Sequence, residues 1–335
     1  MDYIGSKVKL VKWIFDIIGQ EINHTDQICF LDACSGAGSI SRKAVQLGYN
    51  VVVSNDIMSF PSVIIKGSIG HLNTEQVMMM KSEIVRLNAL PGIDGFFFTH
   101  FCDMSNPPRL YFTRDNARKI DHVRQEIDRI TDDKVRDYIL YCGLEALSRV
   151  SNTTGVQAAF LKTYKSRSLG VFTLREELII PGHAEAFTGD ILRLFHSADF
   201  RQKIKEDVLY VDPPYNHRQY GPNYHIYETF VRNDNPPCLG VSGLRDWGTE
   251  SKSVFCSRKE CLAFLKDIVA ATTARVIFLS YSSDGIMTKD DICTEFKIPE
   301  RDIFEYIQRR YKADTSDGRQ YNDKDLVEYL FIIRK

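Results

Sequence analysis

The apolar residues near the start of the chain recur at the spacing of an amphipathic helix. Within residues 6–19, Val8, Val11, Phe15 and Ile18 fall on one face of such a helix. The serine that opens this segment can cap the helix by accepting a hydrogen bond from its first turn. The pattern therefore predicts an N-terminal helix with one buried face.

Continuous apolar runs later in the chain predict buried strands. Two of them, at residues 28–32 and 50–54, flank a glycine-rich turn and a helical segment at residues 36–47. This order of strand, glycine turn, helix and strand is that of a βαβ unit. Further runs at residues 208–211 and 276–279 have the same character. The sequence thus predicts an α/β fold with a mostly parallel sheet.

The middle of the chain has a different pattern from its two ends. Residues 61–183 are mainly helical and amphipathic. Near the end, strand-like runs at residues 302–311 and 326–333 enclose a polar loop, which predicts an antiparallel hairpin. A stretch rich in Pro, Gly and Ser at residues 234–253 predicts a long functional loop. We therefore expect a sheet domain formed by residues 1–60 and 184–335, with residues 61–183 inserted as a helical domain.

Composition and charge narrow the class of protein. The chain has 335 residues, of which 44% are hydrophobic and 26% charged, as in folded soluble proteins. The net charge of −1 excludes a uniformly basic protein that coats nucleic acid but allows a local basic face. The eight cysteines form no Cys-x-x-Cys pair, so we expect reduced thiols and no metal site. With no membrane-length apolar run and no signal-peptide pattern, we expect a cytoplasmic protein.

The glycine turn after the first strand has features of a nucleoside site. In LDACSGAGSIS, Gly36 and Gly38 lie where glycines let the backbone approach a ligand closely. Such a turn can be purely structural, but Asp56 ends the next strand at a distance that suits the hydroxyls of a ribose. The dinucleotide fingerprint has a third glycine where this chain has Ser41, which argues against a pyrophosphate-bearing cofactor. These features favour S-adenosylmethionine, which has a ribose and an adenine but no phosphate.

The second candidate site is the run Asp212-Pro213-Pro214-Tyr215, which follows a predicted strand. Prolines donate no N–H to a sheet, so the strand must end there, and Pro213 holds Asp212 extended. The Asp212 carboxylate and the Pro213 carbonyl can each accept one hydrogen of an adenine amino group. This localises the nitrogen lone pair and stabilises the positive charge that forms during methyl transfer. Tyr215 supplies a ring on which a flipped base can stack. The alternative is an ordinary proline-rich loop.

Three blocks together resemble the adenine-specific DNA methyltransferases of the α group, which contains the Dam enzymes. In chain order they are Tyr3-Ile4-Gly5-Ser6-Lys7, Asp32-Ala33-Cys34-Ser35-Gly36-Ala37-Gly38-Ser39 and Asp212-Pro213-Pro214-Tyr215. The longer runs DPPYNHRQYGPNYH and SYSSDGIM are similar to modification enzymes of type II restriction systems. The resemblance implies an S-adenosylmethionine-dependent methyltransferase fold, with residues 61–183 as the target-recognition domain.

The resemblance also implies roles for individual residues. Tyr3 and Lys7 would hold the methionine end of the cofactor, and Asp56 would hold its ribose. Asp190, with Ile191 beside it, would meet the cofactor adenine. The other cofactor-binding residues would come from the glycine block: Asp32, Ser35, Gly36, Gly38 and Ser39. The chain departs from the Dam pattern with Tyr3 in place of a frequent Trp and with Ala33-Cys34 in place of Pro-Phe, which leaves its sequence preference open.

Candidate DNA contacts come from two short stretches. Residues 151–175 contain no acid. Within them, Lys162, Lys165 and Arg167 form a candidate phosphate-binding patch, although a solvated surface explains them too. Arg218 and Tyr220 follow the Asp212 turn and can contact DNA or support the flipped base.

The sequence thus predicts a monomeric, site-specific methyltransferase that modifies a flipped adenine in double-stranded DNA and has a possible cognate restriction endonuclease. An RNA methyltransferase is the first alternative, although RNA enzymes of this chemistry often begin the motif with Asn. A DNA methyltransferase that modifies the amino group of cytosine more often has Ser at the position of Asp212. A cofactor-binding subunit without catalysis would not need Asp212 and Tyr215. An NAD-dependent oxidoreductase does not fit Ser41.

Overall fold

The strands form one seven-stranded sheet and a small ribbon. The computed structural model of the protein describes residues 5–23, 27–248, 252–308 and 325–335. Its strands are β1 (Cys29–Asp32), β2 (Val51–Asp56), β3 (Ala184–Thr188), β4 (Val208–Val211), β5 (Cys238–Leu239), β6 (Leu244–Arg245), β7 (Val276–Ser282), β8 (Ile303–Gln308) and β9 (Leu326–Arg334). The sheet has the order β3-β2-β1-β4-β7-β9-β8, and β5 pairs with β6. The first five strands in that order are parallel, and β9 is antiparallel to both neighbours. The predicted α/β fold with a mostly parallel sheet is confirmed.

Helices cover the sheet and fill the middle of the chain. They are α1 (Val11–Glu21), α2 (Ser39–Gln46), α3 (Ser59–Ser68), α4 (Thr74–Ala89), α5 (Phe96–His100), α6 (Arg114–Ile127), α7 (Asp133–Val150), α8 (Ile191–His196), α9 (Ala198–Lys203), α10 (Tyr220–Asn223), α11 (His225–Arg232), α12 (Cys261–Ala271) and α13 (Lys289–Phe296). In the part of the chain that the structure describes, no helix combines the length and apolar character needed to cross a membrane.

Alternate residues of the central strands are buried on opposite faces of the sheet. Phe30 of β1 and Val52 of β2 pack with residues of α1 and α2 on one face. Leu31 and Val53 pack with residues of α8 and α12 on the other. Successive strand residues point to opposite faces, and both faces are covered here, so the positions before the polar ends of β1 and β2 are all apolar. This is why the predicted strands appear in the sequence as continuous apolar runs.

The helices of the middle segment share a hydrophobic core of their own. Residues of α4, α6 and α7 pack together, and Tyr224, Tyr227 and Phe230 join them from the region of α11. Gly143 of α7 permits this contact, because a Cβ atom there would lie 2.6 Å from the Phe230 ring. Helix α11, which comes shortly after the Asp212 turn in the chain, is therefore packed into this core. The division of the chain at residues 61 and 183 stays a prediction.

The predicted start of the N-terminal helix was wrong. The helix begins at Val11, and residues 7–9 form a short 3-10 turn instead. Val8, which was expected on the buried face, is 66% exposed, whereas Lys7 is only 5% exposed. The turn carries the Lys7 side chain into the interior, which a continuous helix with Val8 inside would not allow.

One edge of the sheet was predicted from the sequence and the other was not. The C-terminal hairpin is confirmed as the antiparallel pair β8 and β9, although its loop, residues 309–324, lies outside the described residues. No sequence pattern indicated β3, which pairs in parallel with β2. As an edge strand its residues are half-buried or exposed, so it lacks the continuous apolar run of the central strands.

Candidate active site

A cleft opens at the carboxyl ends of β1, β2 and β4, where the strand order reverses between β1 and β4. Such a reversal leaves room for a ligand beyond the strand ends. The cleft is open to solvent and is lined by the glycine turn, the turn that follows β4 and the N-terminal segment. Many of the predicted site residues line it: Lys7, Asp32, Ser35, Gly36, Ser39, Asp56, Asp190, Ile191, Asp212, Pro214, Tyr215 and Tyr220.

The glycine turn between β1 and α2 forms one wall of the cleft. Gly36 and Gly38 have φ angles of 49° and 74°, a left-handed conformation that glycine adopts readily. Gly36 lines the cleft, whereas Gly38 lies behind the wall. A Cβ atom on Gly38 would lie 2.8 Å from Cδ1 of Ile65. The structure therefore gives Gly38 a packing role, against α3, that the sequence did not predict.

Asp32 ends β1 beneath this turn and is only 1% exposed. Its Oδ2 accepts a 2.7 Å hydrogen bond from the Ser41 hydroxyl, while Oδ1 has no partner among the described residues. Burial raises the pKa of Asp32 to about 7, although the Ser41 hydrogen bond opposes this. Ser41, the residue that departs from the dinucleotide fingerprint, therefore orients Asp32.

Two more buried polar atoms at the cleft, the hydroxyl of Ser35 and Oδ1 of Asn55, lack a partner within the described ranges. The Asn55 side-chain amide donates to the carbonyls of Ala33 and Gly189, both at 3.1 Å, which fixes its position. Buried polar atoms are normally hydrogen-bonded, so these atoms fit a ligand with polar groups. No three His, Cys, Asp or Glu side chains in the described parts are grouped to hold a metal ion.

Asp56, at the end of β2, ties the glycine turn to the start of α3. Its Oδ2 accepts the N–H of Gly36 at 2.9 Å, and its Oδ1 accepts the N–H of Met58 at 3.0 Å. Burial raises the pKa of Asp56 to about 6, against the effect of these two hydrogen bonds. Asp190 accepts a 3.0 Å hydrogen bond from a backbone N–H in the first turn of α8, and Ile191 is buried beside it. Both carboxylates are therefore held in place at the cleft.

The turn after β4 holds Asp212 and Tyr215 against each other. The Tyr215 hydroxyl donates to Oδ1 of Asp212 at 2.8 Å, and the Lys7 ammonium lies 3.0 Å from the same oxygen. Burial raises the pKa of Asp212 to about 6, although Lys7 opposes this. Pro214 lines the cleft, whereas Pro213 is buried in the turn. Asp212 keeps 15% of its side chain exposed, so a ligand in the cleft can reach it.

The segment SYSSDGIM supports the Asp212 turn from behind. The N–H of Ile286 donates to the carbonyl of Tyr215 at 2.8 Å. The ring of Tyr281 packs edge-on against Tyr215, with 5.5 Å between the ring centroids. This segment therefore fixes both the backbone and the ring of Tyr215.

A buried carboxylate that the sequence analysis missed, Glu328 of β9, completes the cluster. Its Oε1 accepts hydrogen bonds from the Lys7 ammonium at 2.7 Å and the Ser280 hydroxyl at 3.0 Å. The Tyr215 hydroxyl lies 3.1 Å from the same oxygen, and its one hydrogen can bind either this oxygen or Oδ1 of Asp212. Burial lowers the pKa of Lys7, but the carboxylates of Asp212 and Glu328 outweigh burial and raise this pKa above its ordinary value. The available signal was a single acid inside the apolar run LVEYLFII, where a charge is costly unless it is paired.

Three further residues were predicted at the site, Tyr3, Arg218 and Tyr220, and they differ in where the structure places them. Tyr3 lies outside the described residues. Arg218 is exposed just after the Asp212 turn, whereas Tyr220 lines the cleft itself. Between them, Gln219 exchanges two hydrogen bonds with the backbone of Ser253, at 3.0 and 2.8 Å. This exchange fastens the turn to the segment that ends the long loop.

The predicted phosphate patch does not line the cleft, and two of its members bind the backbone. The Lys165 ammonium donates to the carbonyl of Thr153. The Arg167 guanidinium donates to two carbonyls in the last turn of α7, at 3.2 and 3.0 Å. Lys162 is exposed. Lys165 and Arg167 therefore stabilise the middle segment, and a DNA contact by this patch stays a prediction.

Comparison with known proteins assigns the chain a family and relatives. The family model described as D12 class N6 adenine-specific DNA methyltransferase matches residues 3–292. The chain is 32% identical over 349 residues to the type II methyltransferase M.NlaIII of Neisseria lactamica, which covers 100% of this chain and 99% of that protein. It is 30% identical over 341 residues to M.CviAII of Paramecium bursaria Chlorella virus 1, covering 99% and 97%. M.FokI of Planomicrobium okeanokoites is 31% identical over 354 residues, covering 100% of this chain and 53% of that protein.

Proposed function

Because the chain belongs to the D12 class of N6 adenine-specific DNA methyltransferases, we propose that it transfers a methyl group from S-adenosylmethionine to the exocyclic amino group of an adenine flipped out of duplex DNA. The observation that carries this proposal is that the glycine turn and Asp212 line the same cleft. The three sequence blocks, in their order along the chain, support membership of the α group.

The glycine-turn side of the cleft fits the cofactor. The unpartnered oxygens of Asp32, Ser35 and Asn55 are acceptors or donors for its polar groups. Asp56 would take the ribose hydroxyls, Lys7 the methionine end together with Tyr3, and the pair Asp190 and Ile191 the adenine. Gly36, Gly38 and Ser39 would shape the wall. When bound, S-adenosylmethionine supplies an activated methyl group on its sulfonium sulfur.

Asp212 would act on the amino group that receives the methyl. Its Oδ1 already accepts from Tyr215 and Lys7, so Oδ2 would accept one amino hydrogen and the Pro213 carbonyl the other. These acceptors stabilise the positive charge that develops on the nitrogen. The nitrogen gains a methyl and must lose a proton, which ionised Asp212 can accept. Asp212 therefore has to be charged for turnover, which ties activity to its raised pKa.

Tyr215 would contribute its ring and its hydroxyl to different tasks. Stacking a base on an aromatic ring is worth about 1–3 kcal/mol, which offsets much of the few kcal/mol that flipping a base costs. The hydroxyl meanwhile orients Asp212 through their 2.8 Å hydrogen bond. The residue thus links base stacking to the position of the carboxylate.

DNA would be held by the insertion and by the rim of the cleft. We assign target recognition to residues 61–183, phosphate contacts to Lys162, Lys165 and Arg167, and contacts near the flipped base to Arg218 and Tyr220. The type II relatives support a role in protecting DNA from a cognate restriction endonuclease. We expect the enzyme to act as a monomer in the cytoplasm.

Transfer of labelled methyl tests this function. The purified protein is incubated with methyl-labelled S-adenosylmethionine and either duplex DNA or RNA of the same sequence, and the products are digested to nucleosides. Label should appear as N6-methyladenine from the duplex. Label in cytosine alone, or in RNA alone, would refute the proposal.

A further inference from the structure

We propose that Glu328 is a positioning residue for methyl transfer, which keeps the buried cluster around Asp212 negatively charged and holds Lys7 and Tyr215 against it. This inference rests on the proposed function of Asp212. Glu328 lies beyond residues 3–292, the part of the chain that the family model matches. It reaches the site because β9 pairs with β7, which places Glu328 opposite Ser282.

The contacts of Glu328 join the two side chains that bind Oδ1 of Asp212. Its Oε1 accepts from the Lys7 ammonium at 2.7 Å and lies 3.1 Å from the Tyr215 hydroxyl, whose one hydrogen it shares with Asp212. The same two groups bind Oδ1 of Asp212, with the Tyr215 hydroxyl at 2.8 Å and the Lys7 ammonium at 3.0 Å. Ser280 fixes the carboxylate with a third hydrogen bond of 3.0 Å. Lys7 and Tyr215 therefore lie between two carboxylates.

The charge of this cluster depends on Glu328. Asp212 and Glu328 carry one negative charge each and Lys7 one positive charge, so the three sum to −1 when both acids are ionised. Without Glu328, Lys7 would pair with Asp212 alone, and the pair would be neutral. Charges interact more strongly in a buried site than in water. The extra negative charge therefore favours a substrate nitrogen that becomes positive.

Other ionisable groups near Asp212 do not replace this charge. Asp32 faces it from β1, and its own pKa of about 7 leaves it partly protonated near neutral pH. Cys34 of the glycine turn, Tyr210 of β4 and Tyr220 of α10 also face Asp212, and burial raises the pKa of all three, which keeps them neutral. Glu328 is thus the acid that shares hydrogen-bond donors with Asp212.

Glu328 also affects the pH at which Asp212 loses its proton. Burial is the main cause of the raised Asp212 pKa, the Glu328 charge raises it further, and Lys7 and Tyr215 lower it. Removing the Glu328 charge should therefore lower the Asp212 pKa. The acid limb of the activity profile, where Asp212 becomes protonated, should then move to lower pH.

The test compares Glu328→Gln with Glu328→Asp over a range of pH. Glu328→Gln should lower kcat by about tenfold or more, with the KM values for S-adenosylmethionine and DNA within about threefold of wild type. Its acid limb should lie at lower pH than that of wild type. Glu328→Asp keeps the charge but is one methylene shorter, so its acid limb should stay near wild type and its kcat should lie between the other two.

Glu206→Gln is the matched control, because Glu206 is also a hydrogen-bonded glutamate, only 1% exposed, at the other end of β4. It should lower the Tm and leave kcat and the acid limb unchanged. Wild-type kcat in Glu328→Gln would overturn the inference. So would a lower kcat with a lower Tm and an unmoved acid limb, since that is the result of a structural role alone. If the wild type methylates adenine and Glu328→Gln has the same kcat and pH profile, only this inference fails. If the wild type does not methylate adenine, the proposed function fails as well.

Discussion

At the scale of single residues, the burial of Asp212 disfavours the charged form of its carboxylate. An unfolded Asp has a pKa of about 3.9, whereas burial raises the Asp212 pKa to about 6 in the folded protein. Between these values the folded state binds more protons, so the contribution of Asp212 to stability falls as pH rises through the interval.

Asp212→Asn should therefore be more stable than wild type above about pH 6, by a few degrees in Tm, the change that about 1 kcal/mol produces at this size. Lys7 keeps Glu328 as a partner in this variant. The gain should shrink as pH falls toward the unfolded value. Thermal unfolding of both proteins at mildly acidic and mildly alkaline pH measures this. A variant that is less stable at the alkaline pH would contradict the ionisation assigned to Asp212.

Removing the Tyr215 hydroxyl should shift the pH dependence of activity in the opposite direction from removing the Glu328 charge. Its hydroxyl stabilises the charged form of Asp212, so Tyr215→Phe should raise the Asp212 pKa and move the acid limb to higher pH. The ring remains for stacking, so Tyr215→Phe should retain more activity than Tyr215→Ala. Profiles of kcat against pH for the two variants decide this. Equal losses at every pH would show that the ring has no separate role.

At the scale of elements, the glycine turn and α3 depend on each other. Gly38→Ala should destabilise the fold by about 1–2 kcal/mol for left-handed backbone, plus about 1–3 kcal/mol for the clash with Ile65. Gly48 is the matched control, because it has a φ of 88° and a Cβ atom added there would meet no atom within 4 Å. Gly48→Ala should show the backbone cost alone. Urea unfolding of both variants measures the difference, and equal losses would remove the packing role of Gly38.

The helices and strands that could be predicted from the sequence are those whose burial leaves a clear apolar pattern. Central strands such as β1 and β4 were predictable because both faces are covered, which makes all residues of β4, and all of β1 before Asp32, apolar. Edge strand β3 and the start of α1 were not, since β3 lacks that pattern and residues 7–9 are shaped by burial of the Lys7 charge. The site residues in the glycine and Asp212 turns were visible as local motifs. Glu328 was not, because it joins Asp212 only through the pairing of β9 with β7 across the sheet.

At the scale of the whole molecule, a net charge of −1 means that DNA binding has to be local. If the insertion carries phosphate contacts, Lys162→Ala should weaken binding to every duplex and flatten the salt dependence by about one unit of slope. Lys162 is preferred to Lys165 and Arg167 because those two also stabilise the backbone. Lys12→Ala is the control, since Lys12 is exposed on α1 and paired with Asp16. DNA affinity measured over a series of salt concentrations should give a smaller slope for Lys162→Ala than for Lys12→Ala. Equal slopes would show that Lys162 does not contact phosphate.

The central claim is that one cleft brings an activated methyl group to the amino group of adenine through Asp212. The most direct measurement is the N6-methyladenine content of DNA from a methylation-deficient host that expresses the wild type or Asp212→Asn at equal levels. The wild type should introduce N6-methyladenine at a defined sequence, and Asp212→Asn should introduce none above background. N6-methyladenine at the same level with both proteins, or none with the wild type, would contradict the account.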